Sequence, residues 1–315
     1  QPSQALPRAG LFLWRIALSF NEYSESASLN TSIGGKYTGE NMQRSDVDAV
    51  LRQLAADGKS LINAFDYVAW ATAVQAVGDG TTNDAPALQA KLDSGIKALF
   101  LEPSKIYKIA TGLVVPAGVK IIGNGATIVS TMTGASNAIR FVDGGGAVDL
   151  TLIGPNTTTY TGDHNGLTCR GINNSPAAPT YVSVPVFTNV SVSGYGHYGI
   201  RLQYCKGRGI NSRNVTVSQC GYTGLGGMSC EDVWVYGFSA FDIGPGSPGG
   251  DAYGCFFDRE EVGSETVEPR SYRCGLRGYE ISNVSATGGN GQGVDTHGGV
   301  DINFLDGVIT NCQVA

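Results

Sequence analysis

From residue 96 onward, apolar and polar positions alternate in short runs that stop at Gly, Asn or Asp, and the runs recur. In order they read "VKIIGNGATIV", "AVDLTLIG", "FTNVSVSGYG", "SRNVTVSQCG", "CEDVWVYG", "ISNVSATGG" and "INFLDGVITNC". Alternation over so few residues predicts half-buried strands, and the residues between them predict tight corners. Several runs place Asn or Asp directly before Val; Val190 to Val215, Val215 to Val233 and Val284 to Val308 are 25, 18 and 24 residues apart. One supersecondary unit about every 20 to 30 residues predicts a solenoid, here a parallel β-helix. Each coil buries its apolar face, and pairs its strand edges, against the next.

The pattern upstream is different. Residues 1–44 have no sustained period and read as a docking arm ordered by a neighbour. Ser45 then precedes "DVDAVLRQLAADG", with Asp48 at a capping-box position and Gly58 as C-cap, which predicts a helix. Val47, Leu51, Leu54, Gly58, Leu61, Phe65 and Val68 alternate spacings of four and three. Such a seam suits either a coiled-coil neck or two amphipathic helices parted at Gly58. Residues 45–75 are therefore a helical neck, and residues 76–315 the solenoid. At their junction stands "VGDGTTNDAPALQAKL". Asp84 is placed to cap a short helix whose Leu88 and Leu92 share one face, suited to covering the open end of the first coil.

Composition reinforces a turn-rich β chain: 45 of 315 residues are Gly, and only 15% are charged. A net charge of −6 argues against nucleic acid or anionic lipid as the main partner, and leaves a glycan open. No apolar run is long enough to span a bilayer; "LFLWRIALSF" is broken by Arg15, and no signal sequence frames it. The chain starts at Gln1, which implies processing or trimming. Seven cysteines, all between Cys169 and Cys312 and without a Cys-x-x-Cys pair, read as buried free thiols or stacked core cysteines, the odd count speaking against a complete disulfide framework. Asn189, Asn214 and Asn283 match glycosylation sequons, but as turn residues preceding strands they follow from the coil pattern. Residues 155–185 and 238–278 exceed one coil and are expected to be loops, where function concentrates.

The stretch "AVGDGTTNDAPALQAKLDSG", followed by "ALFLEPSKIYKIATGLVVPAGVKIIGNG", resembles the opening of the pectate-lyase-like superfamily of right-handed parallel β-helices. Pectin-active enzymes and bacteriophage tailspikes belong to it. The resemblance covers residues 75–130 and continues to residue 315 only as coil periodicity. It implies a mainly β fold: a right-handed, single-stranded parallel β-helix with an N-terminal arm and short helical neck. An arm and neck ahead of the opening look more like a tailspike than a secreted wall-degrading enzyme. The tailspike resemblance implies a homotrimer on the virion, bound to other tail proteins through residues 1–44. Its solenoid would recognise, and often depolymerise, bacterial surface polysaccharide. It implies no cofactor, and further coils beyond residue 315.

Hydrolysis of a glycan needs two carboxyl groups flanking the scissile bond, whereas elimination needs a base and a group that neutralises a uronate. "FFDREEVGSE" offers Asp258, Arg259, Glu260, Glu261 and Glu265; "GVDTHGGVD" offers Asp295, His297 and Asp301. Strand alternation sends Asp295 and His297 to one face. The catalytic candidates are accordingly Asp295, His297, Glu260, Glu261 and Asp301, each with the competing reading of a turn or loop residue. Tyr195, Tyr198, Trp234 and Tyr236 are candidates for stacking on sugar rings, although alternation consigns about half of such residues to the core. His164, in "GDHNG", reads as plain surface. No nucleotide, zinc or nucleophile-elbow motif is present, and Asp79 and Asn83 lack the spacing and downstream Glu of a calcium loop, so no metal site is expected. Three functions remain: a tailspike that degrades polysaccharide, a non-enzymatic virion attachment rod, and a secreted polysaccharide lyase or epimerase.

Overall fold

The computed structural model describes residues 68–70, 76–156, 160–172, 179–244, 250–259, 269–296 and 298–313. Residue contacts divide the chain into two units, Gln1–Val68 and Ala69–Ala315. The expected arm and most of the neck lie outside the described residues. Val68–Trp70 is a strand, although the heptad seam had placed Val68 on a helix.

From residue 76 the chain winds as predicted. One sheet is built from Leu113–Val115, Ser136–Phe141, His164–Arg170, Tyr198–Gln203, Thr223–Met228, Ala252–Asp258 and Gly291–Asp295. These seven strands are stacked in sequence order and every pairing is parallel. Between them run the longer strands of a second, larger sheet: Lys120–Ser130, Gly146–Ile153, Val186–Ser193, Cys205–Ser218 and Glu231–Ile243, followed by shorter pieces. Strand, corner, strand, repeated without reversal, is a right-handed parallel β-helix. Its core is one continuous apolar column, with Ile139, Leu167, Ile200, Leu225 and Cys255 in register on successive strands.

The long strands bend at a corner that explains the sequons. Asn124, Asp149, Asn189 and Asn214 have φ of 51°, 50°, 53° and 51°, the left-handed conformation that short polar side chains tolerate best. Asn214 Nδ2 donates to Asn189 Oδ1 at 2.9 Å, and Asn189 Nδ2 to Asp149 Oδ1 at 2.8 Å. A second corner repeats the device, Asn311 Nδ2 donating to Asn283 Oδ1 and Asn283 Nδ2 to Asp242 Oδ1. The three sequon asparagines are thus rungs between coils. The repeat spacing needs one correction. Val190 pairs with Val215 as expected, but Val215 pairs with Phe238, and Val308 pairs with Glu280. Glu231–Ile243 carries alternating halves on either side of Gly237, so Val233 belongs to the half before the corner and Val215 to the half after it.

The junction stretch is fully engaged in structure. Asp79 accepts from the Thr81 and Thr82 amides at 2.8 and 2.7 Å and from Thr82 Oγ1 at 2.9 Å. Helix α1, Ala85–Leu92, follows with Leu88 and Leu92 fully buried. Asp84 holds the N-cap position, but its carboxylate turns back to the amides of Val77 and Gly78, at 2.6 and 3.1 Å, and makes no bond to the helix. The edge of the seven-stranded sheet is closed by Gln89. Its Oε1 accepts from Val114 N and its Nε2 donates to Val114 O, at 2.8 and 2.9 Å, as a neighbouring strand would. Gln89→Ala is expected to cost about 1 kcal/mol and to speed hydrogen exchange at the Val114 amide; unchanged exchange there would reject the edge-closing role.

All seven cysteines are unpaired thiols, six of them buried. Cys205 Sγ approaches Cys169 O at 3.4 Å, and Cys274 Sγ approaches Cys230 O at 3.5 Å, the stacked-thiol arrangement expected from the sequence. Burial pushes the Cys220 thiol up to about 12, well outside the reactive range.

Candidate functional site

The seven-stranded sheet owes its outer face to a column of glycines. Register aligns Gly112, Ala138, Gly166, Gly199, Gly224, Gly254 and Gly293 on successive strands. A Cβ on Gly199 would stand 2.1 Å from Val217 Cγ1, on Gly254 2.4 Å from Ile281 Cγ2, and on Gly293 2.6 Å from Ile309 Cγ2. The column therefore faces the core, like the residue that follows each glycine. Two consecutive inward positions break the alternation, so the residue before each glycine is turned away from the main core, although Asn165, Tyr198, Thr223 and Tyr253 stay buried there. Tyr198 and Tyr253 are such residues, and with Phe256 and Met228 they form an apolar cluster separate from the main core.

This cluster is a network of rings. Tyr198 lies 5.5 Å from Tyr222 and 6.1 Å from Phe256, Tyr253 lies 5.6 Å from Tyr222, and Tyr160 adds to the edge at 5.9 Å from Tyr222. Gly226 makes room for them, since a Cβ there would meet Tyr198 Cε1 at 2.5 Å and Phe256 Cζ at 2.9 Å. His197 sits among these rings, 4.2 Å from Tyr198. Burial raises the phenols of Tyr198 and Tyr253, with Tyr222 adding to both.

Polar groups frame the rings at both ends. In one register column Arg140, Thr168, Arg201, Gly226, Phe256 and Asp295 succeed one another; beside it run Arg170, Gln203, Met228 and Asp258. Each column begins at an arginine, becomes apolar at Phe256 or Met228, and ends at an aspartate. Arg201 pairs with Asp163 at 2.6 Å and lies 5.2 Å from the centre of the Tyr198 ring. Asp295 is opposite Phe256 and Asp258 two residues further on the same face. Strand spacing of about 4.8 Å and a two-residue offset of about 6.6 Å put their Cα atoms roughly 8 Å apart. Gly298 closes on Asp258, its Cβ position 3.2 Å from Asp258 Oδ1. The two acidic stretches singled out in the sequence, about forty residues apart, thus adjoin on neighbouring coils.

Other expected site residues are dispersed. Tyr195 is fully buried and packs on His164 at 5.3 Å, so it offers no face to a ligand; the short Gly194–Gly196 turn carries it inward. Trp234 and Tyr236, 6.4 Å apart, are on the larger sheet, away from Tyr198. Asp301, with φ of 56°, bonds the side chain of Asn303 in a turn leading to that sheet. Glu260, Glu261 and His297 lie outside the described residues. His164 is buried, its Nδ1 accepting from Gly196 N at 2.9 Å, which corrects its reading as surface. Tyr222, Tyr253, Phe256 and Arg201 were missed. The recurring "YG" of "HYGI" and "AYGC" was the available signal.

His197 is held neutral. Its Nδ1 accepts from the Asp163 amide at 2.9 Å, and burial, then nearby Arg201, lower its pKa from 6.5 to about 4. The unfolded chain protonates first as pH falls, so stability is complete above about pH 6.5 and is lost progressively toward pH 4, by up to about 3 kcal/mol. His197→Gln, which keeps an acceptor, is expected to flatten the melting temperature between those pH values. An unaltered slope would reject this assignment.

No family model and no curated protein matches the chain. Among solved structures, it is similar to the A-module of mannuronan C-5 epimerase AlgE4 from Azotobacter vinelandii. Identity is 17% and the TM-score 0.47, over 76% of each chain. ORF18 of Geobacillus virus E2 is 13% identical, with a TM-score of 0.39 over 88% of this chain and 66% of that one. The Dettilon tailspike protein gp208 is 13% identical, with a TM-score of 0.37 over 90% of this chain and 65% of that one. The chain spans about two thirds of the length of the two viral proteins. Likenesses of this size carry no argument about what the chain does.

Proposed function

We propose that this chain belongs to a phage tailspike that binds bacterial surface polysaccharide along the outer face of its seven-stranded sheet and hydrolyses it there. The observation that carries the reading is the ring cluster of Tyr198, Tyr222, Tyr253 and Phe256, with Asp258 and Asp295 on one side of it; Tyr222 is its half-buried, accessible member, and Tyr198, Tyr253 and Phe256, 5 to 8% exposed, back it from beneath. Sugar rings pack their apolar faces on such rings. Two carboxyl groups flanking a glycosidic bond serve its hydrolysis: one protonates the departing oxygen, and the other activates water or attacks the sugar. The resemblance of residues 75–130 to the opening of pectate-lyase-like β-helices, a superfamily that includes tailspikes, and the arm and neck ahead of it support the setting, with residues 1–44 as the virion attachment and a homotrimer as the assembly. Glu260, Glu261 and His297, next in sequence to the two aspartates, complete the candidate set.

The test is turnover. The purified protein, incubated with polysaccharide from a susceptible host, is expected to release oligosaccharides without the absorbance near 235 nm of an unsaturated uronate. Release accompanied by that absorbance would establish elimination in place of hydrolysis. Binding without release would leave an attachment rod, and no binding to any susceptible host's polymer would reject the proposal.

A further inference from the structure

The basic end of the same face has features that a neutral sugar leaves unused. Arg140, Thr168 and Arg201 stand side by side on three successive strands, about 4.8 Å apart per strand. Arg140 is exposed and has no ion-pair partner among the described residues. Arg201 gives one terminal nitrogen to Asp163, but its Nε is buried without a hydrogen-bond partner. Thr168 Oγ1 and both amide atoms of Gln203 are unpartnered too, on side chains that are 5% and 0% exposed. Buried polar atoms in folded proteins almost always have partners, so three neighbouring residues with such atoms mark a place where something else supplies them. Water would satisfy a hydroxyl or an amide. It would not account for two guanidinium groups flanking Thr168, only one of them offset by Asp163, on a chain of net charge −6.

We infer that this end is an acidic subsite: an anionic substituent of the polysaccharide, carboxylate or phosphate, seats between Arg140 and Arg201 above Thr168. The inference rests on the polysaccharide reading above and names its substrate class. The adjoining ring of the ligand lies toward Tyr198 and Phe256. Asp258 and Asp295 repel an acidic group at the far end, so the charge gradient along the columns sets the direction in which the chain lies.

The full chain would be tested on immobilised bacterial polysaccharides: uronate-bearing, phosphate-bearing and neutral, together with the uronate polymers after reduction of their carboxyl groups to alcohols. Binding to an acidic polymer is expected to weaken roughly tenfold in Arg140→Gln, as for loss of one charge-assisted hydrogen bond, and to recover partly in Arg140→Lys. High salt should weaken it in the wild type more than in Arg140→Gln. Carboxyl reduction should erase the difference between the two proteins if the group is a uronate, and leave it intact if it is a phosphate. Arg140 is exposed, so an unchanged melting temperature serves as the control for folding. Neutral polymers bound as tightly as acidic ones, or Arg140→Gln binding within twofold of wild type, would overturn the acidic subsite and leave polysaccharide binding standing. Failure to bind any polymer would remove both.

Discussion

Gly199→Ala is expected to destabilise the solenoid by about 3 kcal/mol or more, the upper range for overpacking a closed core. The added Cβ would lie 2.1 Å from Val217 Cγ1 and 3.0 Å from Gly224 O. Val217 is fully buried and has little rotamer freedom, being β-branched in a strand paired on both sides. Relief therefore requires moving the backbone of one strand, and its neighbours in both sheets move with it. Gly224→Ala, with its Cβ 2.5 Å from Gly254 O, meets the same obstacle on the next coil. Gly134→Ala is the control: nothing lies within 4 Å of its Cβ position, and a change of about half a kcal/mol in either direction is expected. Urea unfolding of the three variants gives the answer. A Gly199→Ala protein as stable as Gly134→Ala would show that the column is not close-packed. The turning of Tyr198 away from the main core would then lack its cause.

Asp258→Asn and Asp295→Asn are each expected to reduce oligosaccharide release by about 10²- to 10⁴-fold, the scale of losing one acid–base partner. Asparagine preserves shape but neither gives nor takes the proton, while the aromatic floor is untouched. Polymer binding should therefore persist as turnover disappears. The double variant should be little worse than either single one, because two groups that act on one bond fail together. Asp301→Asn, whose side chain is engaged with Asn303 in another turn, is expected to retain turnover. Undiminished release in both single variants, or loss in Asp301→Asn alone, would move the chemistry off this face.

Much of the architecture was legible along the chain. Alternation ending at Asn and Asp predicted strands and corners, and the corner asparagines are left-handed rungs because short polar side chains suit that conformation and can bond across a 4.8 Å step of about one strand. Leu88 and Leu92 cover the core as their spacing implied. The site was legible only in part. Asp295, Asp258 and Tyr198 could be named, but Tyr195, three residues from Tyr198, belongs to the core, and Trp234 belongs to another sheet.

The difference has a physical cause. Coil period, corner chemistry and the apolar column depend on contacts between equivalent positions of successive repeats, so each repeat of the sequence states them again. Which face a given tyrosine occupies depends on where two consecutive inward residues interrupt alternation. That is set by core space opposite each glycine, by Val217 for Gly199 and by Ile281 for Gly254, residues 18 and 27 positions downstream. Likewise, Asp258 and Asp295 became neighbours through a register settled by the length of the intervening loop and the packing of coils. Local patterning was sufficient for the strands and corners of this chain. The gathering of rings, arginines and aspartates on one face required the coils to be stacked.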